Sequence, residues 1–159
     1  MPFITLTSDI GHQDYLVSAI KAQLLRVDPE FSLIDITHTI SPFNYPQAAY
    51  ICRSAFRNFP EFSYHIILVN LFEKKPEQLL LAFHRNQYIL CADNGLLNMI
   101  LEEKPEMLIG IPLDKTAIKN TTHCVSVMGK VIKQLIDGAS ISSLGEPDVD
   151  YTEKNHLRP

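Results

Sequence analysis

The strongest constraint on this chain is a short apolar run, a helical stretch and a second apolar run crowded into its first 36 residues. Phe3-Ile4-Thr5-Leu6-Thr7 reads as a strand. Leu16, Val17, Ile20, Leu24 and Leu25 then recur at the spacing of one helix face. That pattern stops before Asp28-Pro29, because the residue preceding a proline avoids the α region. Ser32-Leu33-Ile34-Asp35-Ile36 reads as the next strand. Two strands joined through a helix run parallel, so the chain is committed to an α/β sheet.

The rest extends this plan. Asn44 as cap and Pro46 in the first turn mark a second helix, with Ala48, Ala49, Ile51, Cys52, Ala55 and Phe56 on its buried face. Tyr64 to Val69 is a strongly apolar strand of the kind covered on both sides. Asn70 to Glu77 comes after it as a polar loop in which Leu71 and Phe72 look exposed. Gln78 to His84 and Gln87 to Cys91, joined by Arg85-Asn86, read as a hairpin, which makes the sheet mixed. A short helix over Leu96 to Leu101 and a strand over Met107 to Ile111 come next. Asp114 to Thr122 reads as a polar connection, and Val125 to Ile136 as a helix ended by Gly138. Ser140 to Pro159 is polar and proline-marked, with too little apolar pattern for a packed element. The expected fold is a three-layer, Rossmann-like α/β domain with a central mixed, mostly parallel sheet flanked by helices.

Composition narrows the partners. A net charge of −4 and no basic run interleaved with aromatics argue against nucleic acid. No apolar stretch is long enough to cross a bilayer, so no membrane partner is expected. The N-terminus enters a strand at once, with no charged n-region or apolar h-region, so secretion is not expected. The three cysteines, Cys52, Cys91 and Cys124, form no CxxC pair and fit reduced thiols in a cytoplasmic protein.

Polar residues collect where strands end. Ser8-Asp9-Ile10-Gly11-His12-Gln13-Asp14 puts Asp9 at the carboxyl end of the first strand, Gly11 in the turn and Asp14 at the mouth of the first helix. His38, Asn70 and Asp93-Asn94 leave later strands. Open α/β sheets bind ligands at such ends. Asp9 either closes the turn or accepts hydrogen bonds from a sugar diol; Asp14 is either an N-cap or a second ligand group. No GxGxxG or phosphate-binding loop is present, and no zinc-type spacing. Asp9, Asp14, Asp35 and Asp93 would bind magnesium only if several of them faced one point.

The order of motifs resembles the SAM hydroxide adenosyltransferase family, the S-adenosyl-L-methionine (SAM) hydrolases related to the fluorinase and chlorinase. The resemblance rests on Ile4 to Asp14, on Asp35-Ile36-Thr37-His38-Thr39-Ile40-Ser41-Pro42 with Gln47-Ala48-Ala49-Tyr50, and on Ala92-Asp93-Asn94-Gly95-Leu96-Leu97. It implies an N-terminal domain over 1–147, with 148–159 as a linker towards a C-terminal β-barrel domain missing from this sequence. It also implies a homotrimer in which SAM lies between the N-domain of one subunit and the C-domain of its neighbour. An activated water would attack C5′ of the ribose, giving adenosine and methionine; SAM is then the substrate, and no cofactor or metal is expected. Asp9 would hold the ribose hydroxyls, with Asp14, Tyr15 and Asn70 beside it.

The family's water-holding Asp, Arg and His are only partly matched. The loop that usually reads Asp-Pro-Gly-Val-Gly-Thr is here Asn70-Leu71-Phe72-Glu73-Lys74-Lys75, and the Arg position falls near Glu77 or Gln78. The family's Phe-His-Gly-Arg-Asp corresponds to Thr122-His123-Cys124-Val125-Ser126. Asn70 and His123 are therefore the candidates for placing water. An amide can orient water but cannot take its proton. A nucleoside- or SAM-binding module without turnover is the alternative, and a magnesium-dependent phosphoesterase a further one.

Overall fold

A computed structural model describes residues 3–72, 78–114, 120–147 and 149–151. Among the described residues, seven strands form one sheet: β1 (Phe3–Ser8), β2 (Ser32–Thr37), β3 (Tyr64–Leu68), β4 (Gln78–His84), β5 (Gln87–Ala92), β6 (Met107–Pro112) and β7 (Glu146–Pro147). Their order across the sheet is β2-β1-β3-β5-β4-β6-β7. β2, β1, β3 and β5 pair in parallel, whereas β5-β4, β4-β6 and β6-β7 are antiparallel. β6 therefore points the same way as the parallel block, and only β4 and β7 run against it. The sheet is mixed and parallel through its centre, as the sequence pattern implies.

Four α-helices among the described residues cover it: α1 (Leu16–Val27), α2 (Tyr45–Phe56), α3 (Leu96–Leu101) and α4 (Thr121–Ile136). Period-two alternation along the strands sorts side chains to two cores. Ile4, Leu6, Ile66, Leu68, Leu79, Leu81 and Leu90 pack beneath α1 and α4. Ile67, Val69, Leu80, Ala82, Ile89 and Cys91 pack beneath α2 and α3. A sheet buried on both faces needs apolar residues at every position of its middle strand, and all five residues of β3 are buried. His65 is tolerated there because its ring is saturated: Nδ1 meets Thr5 Oγ1 at 2.6 Å, Nε2 meets Gln87 Oε1 at 3.2 Å, and Phe56 stacks on it at 3.8 Å.

The hairpin turn puts Arg85 (φ 50°) and Asn86 (φ 61°) both in the left-handed region, as a tight two-residue connection requires. Asn44 caps α2 through the Gln47 N–H, with Pro46 in the first turn as expected. All three cysteines are free and buried.

Three local expectations are corrected. α4 begins at Thr121 rather than Val125, because Asn120 accepts the His123 N–H and caps the helix one turn earlier. Ser140 onwards is not unpacked: a 3-10 turn (Ile141–Ser143) buries Ile141, β7 pairs with β6, and Val149 and Tyr151 pack on the α2–α3 core. Leu71 is buried rather than exposed, while Phe72 remains exposed.

Candidate functional site

The sheet order fixes where a ligand can enter. The chain steps outward from β1 to β2, then crosses back over β1 to place β3 on its other side. The β1 and β3 connections therefore leave in opposite directions, and a crevice opens between the two strand ends. A cavity of about 330 Å³ lies there, lined by Asp9, Ile10, Leu68, Asn70, Leu71, Phe72 and Thr121. Asp9 and Leu71 bring β1 and the β3 exit to it, and Thr121 brings the first turn of α4.

Asp9 and Asn70 are tied to each other. The Asp9 N–H donates to Leu68 O at 3.2 Å, extending the β1–β3 ladder by one rung. The Asn70 N–H donates back to Asp9 Oδ2 at 2.8 Å. Asn70 adopts φ 46°, a left-handed conformation that Asn tolerates better than most residues. Its side-chain amide turns towards the start of α2, donating to Pro42 O and to the Tyr45 hydroxyl, the latter at 3.2 Å. Pro42 O can only accept, so the NH₂ end must face it. Asn94, 3% exposed, closes the other side: its Nδ2 donates to Val69 O at 2.7 Å and Asn70 O at 3.2 Å, and its Oδ1 accepts the Leu96 N–H.

The turn that carries Asp9 is held from below. Gly11, at φ 75°, donates its N–H to His38 O at 2.7 Å, and the Ile40 N–H donates to Ser8 O at 3.2 Å. His38 is fully buried, with Nδ1 on Ser8 Oγ and Nε2 on Asp35 Oδ1 at 2.7 Å. Asp35 also pairs with Lys21 of α1. Burial disfavours the Asp35 carboxylate, but hydrogen bonds from Lys21 and His38 outweigh that and hold its pKa below the usual 3.8.

The other sequence candidates lie elsewhere. Asp14 is exposed and accepts the Leu16 N–H at 2.8 Å, a helix-start contact. Tyr15, 77% exposed, precedes α1 and does not line the cavity. His123 sits in the first turn of α4, two residues beyond the cavity-lining Thr121, and is not itself among the lining residues. Asp93 accepts from Gln78 Nε2 at 3.0 Å, and the same amide nitrogen donates to Asp150 O. The four aspartates thus take separate partners, and among the described residues no three His, Cys, Asp or Glu side chains gather as metal ligands. Of the positions where the family's glycines and Arg would fall, Lys74 and Glu77 lie outside the described residues, whereas Phe72 lines the cavity and Gln78 is bonded to Asp93. Sequence alone does not single out Ser8 or Thr121; the one signal for Thr121 is Asn120, a cap-type residue ahead of the apolar pattern.

A larger hollow of about 730 Å³ lies at the opposite, amino edge of the parallel strands, among Arg53, Arg57, His84, Arg85, Glu102 and Glu103. Its charges largely neutralise one another: Arg53 pairs with Glu102 and Arg85 with Glu103, whose carboxylate also meets His84 Nε2 at 3.0 Å. The smaller crevice is the stronger candidate for a ligand site, because its carboxylate, Asp9, forms no ion pair among the described residues.

Sheet order and strand-end carboxylate define an α/β domain of the class that takes ligands at a switch point. Residues 4–145 match the SAM hydroxide adenosyltransferase N-terminal domain, and the chain belongs to that family. It is 29% identical over 165 residues to the (R)-S-adenosyl-L-methionine hydrolase of Methanocaldococcus jannaschii, covering 97% of this chain and 62% of that protein. The fold is shared with an uncharacterized conserved protein from Thermotoga maritima (TM-score 0.80, 24% identity, 96% of this chain and 61% of that one). It is shared also with a conserved hypothetical protein from Thermus thermophilus (TM-score 0.72, 22% identity, 97% and 62%). The chain therefore spans about three fifths of the length of the relatives it matches.

Proposed function

We propose that this chain is the nucleoside-binding half of a SAM hydrolase-type protein and that its water-activating centre is weakened. The carrying observation is Asp9, which lines the β1–β3 crevice with one carboxylate oxygen anchored by the Asn70 N–H. A carboxylate held in this way accepts hydrogen bonds from a vicinal diol such as the ribose 2′- and 3′-hydroxyls. Asp14 and Tyr15, which stand outside the cavity lining, would line the same edge of a bound ligand by the family resemblance.

In the reaction, water oxygen forms a bond to C5′ as the C5′–S bond breaks. The bonding pair leaves on sulfur, which departs as the neutral thioether of methionine, and the water proton passes to solvent. A sulfonium needs little help to leave, so the protein must mainly align a poor nucleophile and keep other water out. His123 and Asn70 are the groups proposed to place that water.

The orientation of Asn70 favours a second reading, binding without turnover. Its NH₂ is committed to Pro42 O and Tyr45, and an amide has no basic site for the proton of water. A homotrimer, a C-terminal β-barrel domain that completes the SAM site and a cytoplasmic setting belong to the same proposal and rest on the family resemblance.

Incubation with SAM, with adenosine and methionine quantified by chromatography, tests the hydrolase reading; calorimetry with adenosine tests binding. Adenosine binding abolished by Asp9→Ala supports the shared site. No binding of SAM or adenosine by the wild-type chain refutes it, and turnover that requires added magnesium would favour a phosphoesterase-type metal site instead.

A further inference from the structure

His38 has no reason to be a histidine if it only fills space. It is fully buried beneath the Ser8–Gly11 turn, where an apolar side chain would avoid the cost of taking an imidazole out of water. A bulge in the β1–β2 register puts it there: Leu6 pairs with Asp35 but Thr7 pairs with Thr37, leaving Ile36 outside the register. The extra residue turns the end of β2 and re-aims the loop beyond it. Asp35 and His38 are thereby brought into contact, and the His38 ring reaches Ser8.

With the His38 ring neutral, the proton positions along the chain of contacts follow from donor and acceptor chemistry. Ionised Asp35 can only accept, so His38 Nε2 carries the hydrogen. In the neutral ring Nδ1 then bears the lone pair, and the Ser8 hydroxyl must donate to it. The lone pairs of Ser8 Oγ are left facing the Ile10 N–H at 3.4 Å. Lys21 fixes the far end by pairing with the other Asp35 oxygen. His38 also meets the turn through its carbonyl, which accepts the Gly11 N–H. Asp9 is thus bracketed: Ser8 before it, and Ile10 and Gly11 after it, all bond to this one loop or to its serine.

We propose that His38 is the positioning residue of the Asp9 carboxylate, with the Lys21–Asp35–His38–Ser8 chain setting the geometry of the turn that presents Asp9 to the cavity. The chain acts through the turn; none of its four residues lines the cavity. This rests on the proposed reading of Asp9 as a diol clamp, and it adds that the clamp's strength is set from outside the cavity.

The test uses Asp35→Asn, at a position 36% exposed and outside both apolar cores, with His38→Gln as the more direct and riskier variant. An amide at position 35 can offer N–H to Nε2, which moves the ring proton to Nδ1 and forces the Ser8 hydroxyl to turn away. Calorimetric affinity for adenosine is expected to fall about tenfold, the size of one well-made hydrogen bond, while the thermal midpoint moves little. Affinity in Asp35→Asn equal to wild type overturns the proposal, as does a loss of affinity that only tracks lost stability across the variants. If wild-type protein binds no adenosine, the diol-clamp reading fails instead. Amide hydrogen exchange then decides the positioning role alone: faster exchange confined to Ile10 and Gly11 in Asp35→Asn supports it, and unchanged exchange there refutes it.

Discussion

Replacing Asn70 by Asp restores the carboxylate that the family's hydrolases carry at this position, and the structure argues that the restoration is destabilising. The Asn70 amide donates to Pro42 O and to the Tyr45 hydroxyl, while its own backbone N–H holds Asp9. A carboxylate has no proton to offer, so Pro42 O would face a like-signed oxygen, and the new charge would sit next to Asp9. Losing a donor so that a half-buried carbonyl is left unpaired costs about 1–3 kcal/mol, and the repulsion adds to it. The penalty belongs to the ionised form, so the new carboxyl is pushed above its unfolded value near 3.9. The penalty is complete well above the folded pKa and disappears as pH falls below the unfolded one, where both states carry the proton. Urea unfolding followed by far-UV circular dichroism, suited to a chain without tryptophan, should place Asn70→Asp about 1–3 kcal/mol below wild type at pH 7. That gap should narrow by pH 3.5. Asn70→Ala loses the same donors without adding charge, so its gap should not change with pH. Asn70→Asp as stable as wild type at pH 7, or a gap equal at both pH values, would refute the orientation assigned to this amide.

Three further outcomes are expected. His65, whose pKa burial lowers to about 4 despite a partial offset from Gln87, stays neutral in the folded chain while the unfolded chain takes up a proton near 6.5. Stability is therefore complete above pH 6.5 and falls by about 2 kcal/mol between pH 7 and pH 5; a His65→Gln variant with the same pH slope in urea titrations would contradict this. Gly110→Ala would set a methyl 2.3 Å from Gln78 Oε1 and 2.9 Å from Val149 Cγ1, so limited proteolysis should cut around residues 144–151 faster than in wild type. Gly11→Ala, with open space around the added methyl but φ 75°, should cost about 1 kcal/mol from backbone strain alone and weaken adenosine binding, read by calorimetry.

The fold is legible in the sequence because its signals are local. Pro29 ends α1, Asn44 and Pro46 start α2, and alternation along Leu79 to Ala82 sorts side chains to two faces, so strands and helices depend on neighbours a few residues apart. The start of α4 is hidden by the polarity of Thr121 and Thr122, which masks a helix whose cap, Asn120, lies just before them. The end of the chain is obscure for a different reason. Two residues suffice for β7 because β6 supplies the ladder, and no periodicity can show in so short a strand. Within the site, Asp9 stands out as a carboxylate at a strand end, but the Lys21–Asp35–His38–Ser8 chain does not. Its contacts span 14 and 30 residues and depend on a bulge, which leaves no mark in the sequence spacing.

These two kinds of residue bear unequally on the proposed reaction. Displacement of a neutral thioether by water draws most of its acceleration from alignment and exclusion of solvent, and a positioned base adds a further factor of about 10²–10⁴. The groups that align the ribose in this reading, Asp9 and the turn bracketing it, are supported by a continuous set of hydrogen bonds. The group at the base position has its donors turned to Pro42 and Tyr45 and no basic oxygen to offer. A protein retaining the first and lacking the second would bind SAM with its family's geometry but turn it over slower by about that same factor. Slow hydrolysis and apparent non-catalytic binding are then the same molecule observed at two time scales. Single-turnover measurement with protein in excess over SAM separates them: adenosine rising steadily over hours marks a slow enzyme, whereas SAM recovered intact at full occupancy marks a binding domain.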